Sequence, residues 1–164
     1  MKENKKELIL EVINLKTYFP IKKGILGLKK KYVKAVDNVS LEIKAGETFG
    51  IVGESGSGKS TLGKSIMRLV KPTSGTIKIK GKDITSLSKN EMFPIRKDVQ
   101  IVFQDPYSSL NPRLTVGKIV SEGMYLHKIC NEIQIKERLK EIFEKVGLSE
   151  FHINNYPHEF SGGQ

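Results

Sequence analysis

The chain has no tryptophan, a single cysteine, 7% aromatic residues and only four arginines, Arg68, Arg96, Arg113 and Arg138, in 164 residues. Each scarcity excludes something. Cys130 alone cannot close an internal disulfide, and one thiol cannot hold a zinc ion or an iron–sulfur cluster by itself, so the chain reads as one made for a reducing cytosol. No apolar run approaches the roughly 18 residues that cross a bilayer, and the charged start, residues 1–7, has no short apolar core behind it, so neither a membrane span nor a secretory leader is expected. Any role at a membrane then comes through a partner. Acids are also short: 28 Lys and Arg against 18 Asp and Glu leave a net charge of +10. That surplus suits an acidic ligand, a nucleic acid or an anionic membrane surface. The basic residues are not interleaved with aromatics as a base-stacking platform requires, so no nucleic acid partner is expected. With 38% hydrophobic residues the chain is long enough to bury a core.

Hydropathy patterning predicts an α/β protein. Residues 8–15 (LILEVINL) and 39–43 (VSLEI) read as strands, and the lysine-rich stretch between them, residues 20–35 with Gly24 and Gly27, reads as a solvated loop or hairpin. Residues 48–52 (TFGIV) and 99–103 (VQIVF) are short apolar runs of the kind that form strands buried on both faces, and 76–80 (TIKIK) alternates as a further strand. From Lys59 the period becomes helical, with Leu62, Ile66, Leu69 and Val70 on one side, and Pro72 ends it. A second amphipathic helix carries Ile135, Leu139, Ile142, Phe143 and Val146 and stops at Gly147, where a left-handed cap is wanted.

Between the TFGIV strand and the first helix lies Gly53-Glu54-Ser55-Gly56-Ser57-Gly58-Lys59-Ser60-Thr61, which fits G-x-x-x-x-G-K-[ST]. Glycines let successive backbone N–H groups turn inward as an anion nest, and the following helix adds the positive end of its dipole. Lys59 supplies a mobile positive charge for β- and γ-phosphates, and the Ser60 hydroxyl suits Mg²⁺. This is a cradle for a nucleoside triphosphate.

Two later landmarks narrow the class. Val102-Phe103-Gln104-Asp105-Pro106 places Gln104 45 residues after Lys59, and Phe160-Ser161-Gly162-Gly163-Gln164 follows, with Ser161 a further 57 residues on. In this order the three motifs resemble the ATP-binding subunit of an ABC transporter over nearly the whole chain. More narrowly, GESGSGKST, FQDPYSSLNPR and YPHEFSGGQ resemble the ATPases of oligopeptide and dipeptide importers, whose relatives also carry nickel.

The resemblance implies a P-loop NTPase fold of the ABC ATPase type, with an antiparallel β-rich part and the phosphate loop in residues 1–105 and a helical part in residues 106–164. It implies ATP and Mg²⁺ as cofactors. Phe19, 34 residues before Gly53, falls where the family stacks an aromatic ring on adenine, with the neighbouring Tyr18 as the alternative. Gln104 falls where an amide oxygen meets Mg²⁺ or the attacking water, on a segment facing the membrane subunits. Ser161, Gly162, Gly163 and Gln164 form the signature at a helix start, which acts in trans on the γ-phosphate held by the opposite subunit. The implied partners are a second ATPase subunit, two membrane permease subunits and, indirectly, an extracytoplasmic substrate-binding protein, at the cytoplasmic face of the membrane. After its signature the family continues with a strand ending in Asp-Glu, the general base, and with a switch histidine. None of these is in the 164 residues, so the expectation is a partial domain that hydrolyses ATP negligibly by itself. Rival readings are an ABC ATPase acting on nucleic acid or ribosomes, a small-molecule kinase, and a non-catalytic ATP-binding fragment. His127, His152, His158 and Cys130 have no ligand spacing and read as bystanders.

Overall fold

The computed structural model describes residues 7–21, 31–105 and 107–164. Most of the lysine-rich loop, and Pro106, lie outside the described residues. The chain forms two compact units that divide between Gln100 and Ile101.

The first unit is built on a four-stranded antiparallel sheet in the order β2-β1-β3-β4, with β1 Leu8–Ile21, β2 Lys31–Lys44, β3 Ser74–Ile79 and β4 Lys82–Asp83. β1 and β2 extend well into the stretch expected to be a loop or hairpin, pairing as a hairpin as far as Ile21 opposite Lys31. The extension is possible because its residues other than Ala35 find ladder partners, whatever their polarity. Three register shifts interrupt the hairpin between Val12 and Tyr18. Asn14 and Asn38 adopt left-handed backbone angles (φ 48° and 58°) within this interrupted stretch, a conformation that asparagine tolerates better than most residues. Glu11 stands opposite Lys78 on β3 and pairs with it at 2.6 Å.

One face of the sheet packs on helix α1, Lys59–Ile66, and on the short helix α2, Lys89–Ile95. Val12, Leu15, Val36, Leu62, Ile77, Ile79, Ile84, Met92 and Ile95 form its buried cluster. A buried polar pair ties β1 to α1: the hydroxyls of Thr17 and Ser65 lie 2.9 Å apart, and Ser65 also donates to the Thr61 carbonyl. α1 ends at Ile66, four residues before the periodicity suggested. Arg68 turns left-handed there (φ 54°) and its guanidinium donates to the carbonyls of Ile84 and Leu87, each at 3.0 Å. Leu69 consequently stays half exposed. α2 opens with a capping box in which Ser88 and Glu91 satisfy each other's backbone N–H groups.

The two apolar runs expected to be buried strands are the main departure from the sequence reading. Residues 48–52 and 99–103 have no ladder partner among the described residues; Val52 is 97% exposed and Val102 85%. An apolar run becomes a strand only when a neighbour supplies the other half of its hydrogen bonds.

The second unit is helical. α3, Val116–Leu126, and α4, Glu132–Lys145, are followed by 3₁₀ turns at Glu150–Asn154 and Pro157–Glu159. Ile135, Leu139 and Phe143 form the buried stripe of α4, covered by Val116, Val120, Met124, Leu148 and Ile153. Asn131 and Gln134 form a capping box at its start. At its end Gly147 is left-handed (φ 76°), its N–H bonds the Glu144 carbonyl and the Leu148 N–H reaches back to Phe143, which is a Schellman cap. No helix among the described residues is long and apolar enough to cross a membrane.

Candidate functional site

The phosphate loop lies in the first unit, between the unpaired run 48–52 and α1. Gly56 and Gly58 are left-handed (φ 80° and 94°), and Gly58 is the N-cap of α1 with no side chain to cap it, so the first N–H groups of the helix have no side-chain acceptor at the cap. The loop and the first turn of α1, Gly56 to Thr61, line a cavity of about 430 Å³ together with Val33, Lys34 and Ala35 of β2.

Gly58 is required for a second reason. A Cβ there would lie 2.0 Å from the carbonyl oxygen of Ala35, so the loop and β2 meet backbone to backbone. Ala35 is the residue that the register skips: Thr17 pairs with Val36 and Tyr18 with Lys34, leaving Ala35 as the extra residue of a β-bulge. Nothing in the sequence marks this bulge, and Val33, Lys34 and Ala35 were not among the expected site residues.

Lys59 folds back over the loop. Its ammonium donates to the carbonyls of Gly53 (2.7 Å) and Glu54 (2.6 Å) and lies 3.3 Å from the Ser57 hydroxyl. Ser60 is exposed at the first turn of α1. Among the described residues no three His, Cys, Asp or Glu side chains converge as a metal site. This donor set, a hydroxyl beside an anion nest, suits a magnesium ion that arrives with phosphates rather than one caged by carboxylates.

Phe19 stands directly opposite Val33 in the hairpin and Tyr18 opposite Lys34, and both of these β2 residues line the cavity. Phe19 is 41% exposed. Tyr18 points to the other face, where its hydroxyl donates to Asp37 at 2.5 Å. That hydrogen bond, and Lys34 beyond it, hold the Asp37 carboxyl below its ordinary range, while the Tyr18 phenol and the Lys34 ammonium are raised, each chiefly by its hydrogen bond to Asp37.

The remaining expected residues belong to the second unit. Gln104 is exposed in a bend, followed by Asp105, whose carboxylate accepts from the Ser108 N–H. Ser161, Gly162, Gly163 and Gln164 are exposed: the Gln164 side-chain oxygen accepts from both the N–H and the hydroxyl of Ser161, and the Gln164 N–H bonds the Ser161 carbonyl. The side-chain bond to the Ser161 N–H is the bond by which Gln134 reaches back to Asn131 at the start of α4, one half of a capping box. The YPHEF segment before it is fixed by a hydrogen bond from the Tyr107 hydroxyl to the Pro157 carbonyl. His152 bonds Ser149, and His158 stacks on Tyr156.

Comparison with known proteins places these features in a family. The ABC transporter family profile matches residues 36–164. The oligopeptide transport ATP-binding protein AppF of Bacillus subtilis is 49% identical over 96% of this chain and 48% of its own length. OppF, an oligopeptide transport ATP-binding protein of Escherichia coli, is 44% identical over 97% of this chain and 48% of its own. The glutathione import ATP-binding protein GsiA of Pectobacterium atrosepticum is 44% identical over 96% of this chain and 25% of its own. The chain thus spans about half the length, or less, of these relatives. Among solved structures, the dimeric post-hydrolysis state of the ATP-binding cassette MJ0796, bound to ADP and Pi, superposes with a TM-score of 0.78 at 31% identity, covering 95% of this chain and 65% of that one. A phosphate loop on an uncapped helix start, followed by the FQD and SGGQ segments and matched along 36–164, makes this chain a member of the ABC transporter family.

Proposed function

We propose that the protein is the ATP-binding subunit that energises an importer of oligopeptides or dipeptides. The carrying observation is the 49% identity to an oligopeptide transport ATP-binding protein across almost the whole chain, including an intact phosphate loop. In this reading it works at the cytoplasmic face of the membrane, paired with a second ATPase subunit and docked on two permease subunits that receive cargo from an extracytoplasmic binding protein. Nickel is the alternative cargo.

ATP, bound with Mg²⁺ to offset phosphate charge, would supply the phosphoanhydride whose cleavage drives the transport cycle. The chain's own residues bind and orient the nucleotide. Phe19, exposed on the face of Val33, stacks on the base, which leaves Tyr18 to its hydrogen bond with Asp37. The backbone N–H groups from Gly56 to Thr61 hold phosphate oxygens, and Lys59 exchanges two carbonyls for the β- and γ-phosphates. Ser60 and, as the family resemblance implies, Gln104 would hold the metal, and Ser161 to Gln164 would meet the nucleotide of the partner subunit.

Calorimetric titration of the full-length protein with Mg·ATP, beside a Lys59→Ala variant, tests the nucleotide site; uptake of a labelled oligopeptide by cells with and without the gene tests the cargo. The expected result is saturable binding lost by about 100-fold or more in Lys59→Ala, in line with losing a charged donor and its phosphate contacts, and uptake that depends on the gene. A protein that binds no nucleotide overturns the reading, and nickel uptake in place of peptide uptake redirects the cargo.

A further inference from the structure

Three side chains on the sheet face opposite Phe19 form a cluster that no motif announces. The Tyr18 hydroxyl donates to one Asp37 oxygen at 2.5 Å, the Lys34 ammonium lies 3.3 Å from the other, and the same ammonium sits 5.5 Å from the centre of the Tyr18 ring. Lys34 and Asp37 are three residues apart on one strand. In a regular strand such residues point to opposite faces and cannot meet. They meet here because the strand is bulged at Ala35, which restores them to a common face. The bulge thus brings the ion pair together, and the Tyr18 hydroxyl joins it from the neighbouring strand. The bulge in turn sets the Ala35 carbonyl where it abuts Gly58, the residue that starts the phosphate-loop helix.

We propose that Tyr18, Asp37 and Lys34 act as positioning residues for the phosphate loop: they lock the bulge at Ala35, and the bulge holds Gly58, and with it the N–H groups behind it, in the orientation that receives phosphates. The proposal rests on the nucleotide site described above. It gives Tyr18 and Phe19 different tasks, the first acting on the phosphates through the backbone and the second on the base by contact.

The test is Mg·ATP and Mg·GTP titration of the full-length protein and its Tyr18→Phe, Asp37→Asn and double variants, at a temperature where thermal melts show each to be folded. Tyr18→Phe is expected to weaken both nucleotides by the same factor, roughly three- to tenfold, as for loss of one charge-assisted hydrogen bond. The double variant is expected to be no weaker than the sum of the singles and closer to either one alone. Phe19→Ala, by contrast, changes the ratio of ATP to GTP affinity. Asp37→Asn separates the proposal from plain electrostatics: removing a negative charge near the site strengthens binding of an anion if the charge acts directly, and weakens it if Asp37 acts by positioning. Where Tyr18→Phe does not fold, Asp37→Asn carries the test. A wild-type protein that binds neither nucleotide overturns the proposed function together with this inference. A wild type that binds, with Tyr18→Phe equal to it or Asp37→Asn tighter, overturns this inference alone.

Discussion

In the first unit the buried cluster is assembled from distant parts of the chain, Val12 and Leu15 on β1, Val36 on β2, Leu62 on α1, Ile77 on β3 and Met92 on α2. In the second unit all three buried residues of the cluster, Ile135, Leu139 and Phe143, come from a single helix at four-residue spacing. The first arrangement depends on register, since a shift of one residue in any strand turns its apolar side chains to the other face. The second depends on helical period alone. Non-local pairing costs chain entropy before it is rewarded, so the sheet unit is expected to form cooperatively or not at all, while the helical unit tolerates local losses.

Core truncation separates the two units with the largest effect. Phe143→Ala is expected to cost about 4 kcal/mol and Ile77→Ala about 3 kcal/mol, from lost burial plus the cavity left behind. Amide hydrogen exchange should show Phe143→Ala lowering protection in α3 and α4 while β1 and β3 keep theirs, and Ile77→Ala doing the reverse. If either variant lowers protection evenly along the chain, the comparison breaks.

A smaller effect tests a point in the second unit where backbone contact, not period, decides. A Cβ on Gly117 would lie 2.5 Å from a methyl of Ile153 and 2.7 Å from its carbonyl oxygen. Gly117→Ala should cost about 2 kcal/mol through overpacking, read from the melting midpoint, although alanine is the better helix former.

The smallest effect concerns charge. Asp37 has a lowered pKa, so its hydrogen bonds contribute above the ordinary aspartate pKa and are lost as pH falls through the lowered value. Tyr18 and Lys34 are raised, so their contribution is full below their ordinary values and is lost as pH rises through the raised ones. A melting-temperature profile should thus be flat for this cluster near neutrality and fall at both extremes, and Tyr18→Phe should flatten the alkaline fall. An unchanged alkaline limb in Tyr18→Phe would count against the cluster's contribution to the fold.

The same contrast explains what could be read from the residues alone. The phosphate loop was legible because its chemistry is local: glycines, a lysine and a hydroxyl within nine positions, ahead of a helix with its own period. α4 was legible for the same reason, down to Gly147 as its cap. α3 was not, because Gly117 and Gly123 dilute its helical signal, although Val116, Val120 and Met124 keep the period. α2 was missed with Pro94 inside it, despite the Ser88 and Glu91 capping pair. The strand readings for 48–52 and 99–103 came from composition, and composition does not supply a ladder partner. Ala35 was invisible because a bulge is a property of two strands together.

Lys59 carries a consequence of its own. Its ammonium is wrapped by two carbonyls and a hydroxyl of the loop it belongs to, much as a crown ether wraps a cation. The loop is therefore its own host, and its shape is templated by a residue of its own sequence before any anion arrives. A phosphate must win this cation from oxygen ligands that already hold it, so affinity at the site measures an exchange rather than a capture. Arginine, a flat fork in place of a compact ammonium, keeps the charge but not the fit to that ring of oxygens.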